Sequence, residues 1–457
     1  MKIQVLVTMM ALVGGISLTA FCGEVEARED ALTQGVAILP SDKQVKFSLD
    51  RANATYACGE EAVFTVTVFD ENGTEPLKEG VARWRLDNYG EHEFASGKQD
   101  LAKGNPFTIK GTLPYAGFLR AGVTPPGKKK RPIRYSAAFD PAKIRTAIPK
   151  PADFDSFWDN AVARLEKEVP LDPKIEQLDG WPKDGVNVQR VSFATFGGRV
   201  HGLLAMPVKK GRYPVSVRFP GAGVGLIAEK FRGEPNTIIL FMNAHYFPVP
   251  VTTDEAKVVY EEQEQKWRVL HGKNSSRAYP VGGLTLSPEK AHYYGIILGV
   301  NRAIDWLAKQ PGVDLAHFTY QGASQGGAFG LILTGLNKHI TRAYAGVPAM
   351  TDVMGCKADR RQSGWPRILE YETQKDPARL AAIEKNAPYF DASYFAERIT
   401  VPIRLSVGYI DESCAPHAVL SAYNAIPAKD KKLYHGIGGH HGSKNAPMNE
   451  VNAFLRR

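Results

Sequence analysis

The chain has 457 residues, enough for about two average domains, and 44% apolar and 23% charged residues, which supports full cores and excludes wholesale disorder. Its formal charge of +9 is scattered, and its one cluster, Lys128-Lys129-Lys130-Arg131 between Pro126 and Pro132, reads as a solvated loop rather than a nucleic-acid patch. The four cysteines, Cys22, Cys58, Cys356 and Cys414, share no metal-ligand spacing.

The N-terminus predicts an export signal over residues 1–27. Lys2 supplies the positive start, Ile3 to Phe21 is almost entirely apolar or small, and Val25-Glu26-Ala27 precedes a cut, with Leu18-Thr19-Ala20 as an alternative. A lipid anchor on Cys22 is a second, less favoured alternative because Phe21 is bulkier than the residue that precedes such a cysteine, and a retained membrane span is a third because the run is nearly long enough. The chain is therefore expected to be periplasmic or secreted, with membrane contact only through the signal. Without Cys22, three cysteines remain, too sparse for a disulfide framework and expected to act as small buried hydrophobes.

Residues 40–140 predict an immunoglobulin-like β-sandwich. Glu61 to Phe69 alternates, with Val63, Thr65, Thr67 and Phe69 on one face and Phe64, Val66 and Val68 on the other. The turn Asp70-Glu71-Asn72-Gly73 follows. Ala82 to Leu86 and Phe107 to Leu113 alternate in the same way. With no cluster of reactive side chains, this module reads as a spacer, a dimerisation surface or a carbohydrate contact. The domain boundary is expected near Lys143. An amphipathic helix then begins near Ala152, with Phe154, Phe157, Trp158, Ala161 and Leu165 on one face.

From residue 150 to 457 strands alternate with helices. Strands are predicted over Asn187 to Phe193, Val200 to Met206, Pro214 to Phe219, Thr237 to Met242, Ala343 to Val347 and Ile403 to Val407. Helices are predicted over the polar run Asp254 to Arg268 and along the stripe Ile296, Ile297, Val300, Ala303, Ile304 and Leu307. This order implies an α/β fold, a mostly parallel sheet with helices on both faces.

Within it, Gly322-Ala323-Ser324-Gln325-Gly326 carries the G-x-S-x-G pattern between an apolar run and a helix-compatible run. That is the context of a nucleophile elbow, in which glycines make room for a strained turn and the helix start faces an oxyanion. A serine hydroxyl needs an imidazole to accept its proton and a carboxylate to orient that imidazole. Asp411 follows a predicted strand, with Glu412 as rival acid and a helix N-cap as its alternative role. His440 lies in Gly438-Gly439-His440-His441-Gly442, with His441 as rival base. Serine, acid and histidine then stand in the chain order of an α/β-hydrolase. The oxyanion donors are expected from the N–H of Gln325 and from the loop Gly221-Ala222-Gly223-Val224-Gly225 after an earlier strand. That loop lacks the lysine of a phosphate loop. His417 reads as a helix-surface residue, and no metal site is expected because the His-His pair has no accompanying ligand cluster.

The elbow Gly322-Ala323-Ser324-Gln325-Gly326-Gly327 resembles that of the acetyl xylan esterase and cephalosporin-C deacetylase family, carbohydrate esterase family seven. Asp391 to Ile399, Leu405 to Gly408, Ile410 to Pro416 and Ser421 to Asn424 continue the likeness, which covers roughly residues 150 to 457. The resemblance implies Ser324 as nucleophile, Asp411 as acid, His440 as base and Ala222 as the oxyanion donor that the family takes from a tyrosine position. It implies an acetylated oligo- or polysaccharide substrate and no cofactor. The family's Arg-Gly-Gln motif is replaced by Asn243-Ala244-His245-Tyr246, and the glutamate after its histidine by His441. The resembling enzymes assemble as rings, contacts that the front module would block or replace in a homo-oligomer. Another acyl hydrolase (feruloyl esterase or peptidase) and a non-catalytic carbohydrate-binding protein are the alternatives.

Overall fold

The computed structural model describes residues 36–38, 42–90, 93–127, 132–271, 279–358, 361–370, 372 and 376–457. The export signal, Cys22 and the Lys128–Arg131 cluster lie outside these residues. None of the described helices is long and apolar enough to cross a membrane.

The first strand, β1 (Val36–Ile38), joins the large sheet described below. Among the described residues, eight strands follow: β2 (Val45–Leu49), β3 (Thr55–Tyr56), β4 (Ala62–Val68), β5 (Val81–Asp87), β6 (Glu93–Asp100), β7 (Phe107–Gly111), β8 (Gly117–Thr124) and β9 (Ile133–Phe139). They form a three-stranded sheet, β2-β4-β7, and a five-stranded sheet, β3-β9-β8-β5-β6. The period-two pattern explains why they face each other. Ala62, Phe64, Val66 and Val68 of β4 are buried while Val63, Thr65 and Thr67 are half-buried. Phe47 of one sheet stacks on Tyr135 of the other with ring centroids 5.6 Å apart. Gly111 comes so close to the opposing sheet that a Cβ there would stand 2.7 Å from a Leu86 methyl.

The C-terminal part starts with α1 (Phe154–Glu168), which buries Phe154, Trp158, Ala161 and Leu165 on the predicted face. Strands β10 (Lys174–Gln177), β11 (Val186–Thr195), β12 (Gly198–Pro207), β13 (Tyr213–Phe219) and β14 (Ile238–Met242) follow. Next come α2 (Thr253–His271), α3 (His292–Ala308), β15 (Val313–Ala323), α4 (Gln325–Leu336) and β16 (Arg342–Gly346). The chain ends with α5 (Pro377–Asn386), α6 (Ala392–Ala396), β17 (Ile403–Gly408), α7 (Pro416–Ala425), β18 (Lys431–Ile437) and α8 (Met448–Leu455).

These strands and β1 form one sheet in the order β1-β18-β17-β16-β15-β13-β14-β12-β11-β10. Every pairing from β1 to β14 is parallel, and β12, β11 and β10 add an antiparallel edge. The central strands are buried on both faces, so they read as apolar runs rather than alternations. Because β13, β15, β17 and β18 are parallel, the loops after them emerge along one edge. The order reverses where β13 sits between β15 and β14, the kind of crevice in which open α/β sheets bind ligands.

Candidate active site

Ser324 stands between β15 and α4 with φ 60° and ψ −122°, a region that a non-glycine residue occupies only when its surroundings impose it. The surroundings do so. Ser324 N–H donates to the Gly346 carbonyl at 2.9 Å, and its carbonyl accepts from Ala328 at 2.9 Å and Ala349 at 3.0 Å. The glycines are required sterically. A Cβ at Gly322 would lie 2.5 Å from the Gly326 carbonyl oxygen, and one at Gly326 would lie 2.3 Å from that of Phe219. The turn has the elbow geometry expected from the sequence.

Strand β17 ends at Gly408, where a Cβ would come within 2.6 Å of the carbonyl oxygens of Gly439 and His440. Bare backbone therefore brings the acid turn against the histidine turn. Asp411 is fully buried. Its Oδ1 accepts from the N–H groups of Ser413 at 2.8 Å and Cys414 at 2.9 Å. Its Oδ2 faces Nδ1 of His441 at 2.8 Å. That bond to Asp411 raises the His441 imidazole above its ordinary value of 6.5, against the opposing effect of burial.

The ring that meets Asp411 is thus His441, not His440, where the base was expected. The chain turns at Gly438, φ 72°, and the His440 carbonyl is held by Asn445 Nδ2 at 2.6 Å. This aims the next ring, His441, at Asp411. The helix-cap alternative for Asp411 falls too, because Ala415 is the N-cap of α7. Glu412, the rival acid, points the other way and pairs with Arg120 and Arg134. His417 is buried, not on a helix surface, with Nε2 donating to the Gln362 carbonyl at 2.6 Å.

Cys414 completes the cluster. Its thiol is buried beside Ser324, and burial, reinforced by the Asp411 charge, pushes it well above the usual thiol range. It is a neutral thiol beside the serine rather than a thiolate. The side-chain polar atoms of Asp411, Cys414 and His441 lie within 4.8 Å of one another, so the thiol packs against the acid–imidazole pair. Sequence spacing gave no hint of this grouping.

The loop after β13 reaches the start of α4. Gly326 makes room for the Phe219 carbonyl, Ala222 occupies an exposed bend, and Gly223 is tied on both sides. The Gly223 carbonyl accepts from His245 Nε2 at 2.8 Å, and its N–H donates to the Tyr279 hydroxyl at 3.3 Å. The Tyr279 hydroxyl in turn donates to Gln325 Oε1 at 2.8 Å, joined by the Tyr293 hydroxyl at 2.7 Å. Asn243 Oδ1 accepts from Leu226 N–H at 3.1 Å. Burial lowers His245 to about 4 and His292 to about 3, so both rings are neutral. His292 Nε2 donates to the Ala244 carbonyl at 2.8 Å. Asn243 and His245 therefore brace this loop from β14's end. Gln325, as first residue of α4, presents an N–H with no partner inside the helix.

A serine on a strained turn at a helix N-terminus, a buried carboxylate holding an imidazole, and a braced glycine loop are the parts of acyl-transfer chemistry. The comparisons agree. The acetyl xylan esterase (AXE1) family model matches residues 142–457. The chain is 28% identical over 353 residues, 76% of each chain, to the acetyl esterase Axe7A of Xylanibacter ruminicola. The fold is that of acetyl xylan esterase 1 from Thermoanaerobacterium sp. JW/SL YS485, with TM-score 0.55, 18% identity and coverage of 69% of this chain and 96% of that one. The acetyl xylan esterase from Paenibacillus sp. R4 aligns over the same shares with TM-score 0.53 and 20% identity.

Proposed function

Because the chain belongs to the acetyl xylan esterase family, we propose that it is a serine esterase that removes acetyl groups from carbohydrates through an acyl-enzyme. The observation that carries this reading is the Asp411–His441 bond beside the Ser324 elbow. With Nδ1 held by Asp411, His441 keeps Nε2 for the serine. Ser324 Oγ attacks the acetyl carbon and His441 takes the hydroxyl proton. The N–H groups of Gln325 and Ala222 hold the oxyanion. The bond to the sugar oxygen breaks, and His441 returns the proton to that leaving oxygen. Water then attacks the acetyl-serine, giving up its proton to His441, and acetate leaves as the proton returns to Ser324. The raised His441 helps it hold the proton between these steps.

The carbohydrate part of the substrate rests on the family and on the relative named an acetyl esterase. The export signal supports a periplasmic or secreted enzyme, and N-terminal sequencing of the mature protein tests that: an intact Met1 would count against it. The front sheets fit an immunoglobulin-like sandwich. Ser324→Ala is expected to abolish hydrolysis of 4-nitrophenyl acetate, and full activity in that variant would sink the mechanism. A panel of acetylated sugars against longer acyl and feruloyl esters tests the substrate, and preference for the longer acyl groups would favour a different hydrolase.

A further inference from the structure

The acid turn, residues 409–414, leaves the end of β17 without regular structure, yet an orienting carboxylate must be held to within about 0.5 Å. Both flanks of Asp411 are tethered to the front sheets, outside the residues that the family model matches.

On one flank, Glu412 Oε1 faces Arg120 Nη1 at 3.3 Å and Oε2 faces Arg134 Nη1 at 2.6 Å, from the adjacent strands β8 and β9. Arg120 is not a floating surface charge: its side chain is 6% exposed. Asp87 grips it from behind, at 2.7 Å to Nε and 3.1 Å to Nη2, and its guanidinium lies 4.3 Å above the Tyr89 ring. Such a two-pronged grip fixes orientation as well as charge. Burial and the Arg120 charge lower Arg134, so the pair needs the carboxylate that Glu412 brings. The Glu412 carbonyl is also held, by Gln362 Nε2 at 2.8 Å.

On the other flank, the Tyr89 hydroxyl donates to the Tyr409 carbonyl, and Phe118 meets the Tyr409 ring edge-on at 4.9 Å. Tyr89 adopts φ 72°, a left-handed conformation that disfavours a bulky residue and survives only where its contacts impose it.

We propose that the front module belongs to the catalytic machinery: Arg120, with Arg134 and Tyr89, positions Asp411 by holding Glu412 and Tyr409 on either side of it. The proposal rests on the triad reading given above. Arg120 and Glu412 touch neither substrate nor reacting atoms. They are positioning residues, and they act by keeping the Asp411–His441 bond short.

The test uses the full-length protein. Glu412→Ala releases one flank without leaving an unpaired buried carboxylate at that position. It is expected to lower kcat on 4-nitrophenyl acetate by about 10- to 100-fold with KM almost unchanged. Glu412→Gln, which can still accept from the arginines, is expected to recover most of that loss. Loosening the bond to Asp411 removes what raises His441, so the acidic limb of kcat/KM moves to lower pH in Glu412→Ala. Titration of His441 by NMR with histidine-selective labelling, assigned with His441→Asn, reads the same downward shift without any turnover. A wild-type His441 titration and kcat in Glu412→Ala and Arg120→Lys would overturn the proposal, as would losses that merely track thermal stability. If wild type fails to hydrolyse acetyl esters, the esterase reading falls, while the NMR shift still decides whether Glu412 positions the Asp411–His441 pair.

Discussion

At the scale of the residue, His441 carries the clearest expectation. His441→Asn should cost on the order of 10³-fold or more in kcat, and His440→Asn should stay within a few-fold of wild type. Steady-state kinetics on an acetate ester decides between them, and the reverse pattern would restore His440 as base. The pH dependence has a definite sign. A base must be neutral to work, and His441 is raised by Asp411. The rate should therefore climb with pH and reach half its maximum above the usual imidazole value of about 6.5. Asp411→Asn removes the cause of the shift, so the limb should move down while kcat falls. A limb that stays in place would mean that another group titrates. The doublet His440-His441 was legible as a candidate base, but which ring meets Asp411 was not. That choice is made by Gly438 at φ 72° and by the Asn445 bond to the His440 carbonyl, neither of which has a sequence pattern. Matching the family's histidine to the first of the two pointed to the ring that does not meet Asp411.

At the scale of the element, the elbow was legible because steric need and sequence coincide. Glycine stands at 322 and 326, where any Cβ would strike a carbonyl oxygen. The brace of the oxyanion loop was not legible, since it joins α4 to Tyr279 and Tyr293, which lie 46 and 32 residues earlier in the chain. Its energetics can be separated by a pair of variants. Tyr279→Phe removes the hydroxyl that both accepts from Gly223 N–H and donates to Gln325. It should lower kcat by about tenfold, the cost of an oxyanion donor displaced rather than deleted, with little change in KM. Tyr293→Phe removes only one donor to Gln325 Oε1, which keeps the Tyr279 bond, and should cost less. Equal losses in both would mean that packing around Gln325, not the Gly223 tether, sets the rate.

At the scale of the whole molecule, apolar runs made most strands of the C-terminal part legible, while alternation picked out only β4, β5 and β7 of the front part. Strands β1, β10 and β18 of the large sheet were not among those expected, and β1 has only three residues, Val36–Ile38, too few to show a period. Of the front module's strands, β4, β5 and β7 were legible one by one and the others only as a β-rich stretch; its bearing on the site was not legible, because Arg120 and Glu412 are 292 positions apart. A boundary near Lys143 suggests two independent domains, yet residues 35–457 form one compact unit. Phe118 and Leu119 of β8 share a continuous buried apolar core with Tyr409 and Val419. Burying a charge such as Arg120 against partners from both parts adds to this coupling, since losing either partner leaves a charge stranded away from water. Separation would also expose apolar area at about 25 cal/mol per Å². The two parts should therefore unfold together. Scanning calorimetry of the full chain is expected to give one transition, coincident with loss of esterase activity. Two resolved transitions, with activity lost only in one of them, would mean that the front sheets melt without disturbing Asp411.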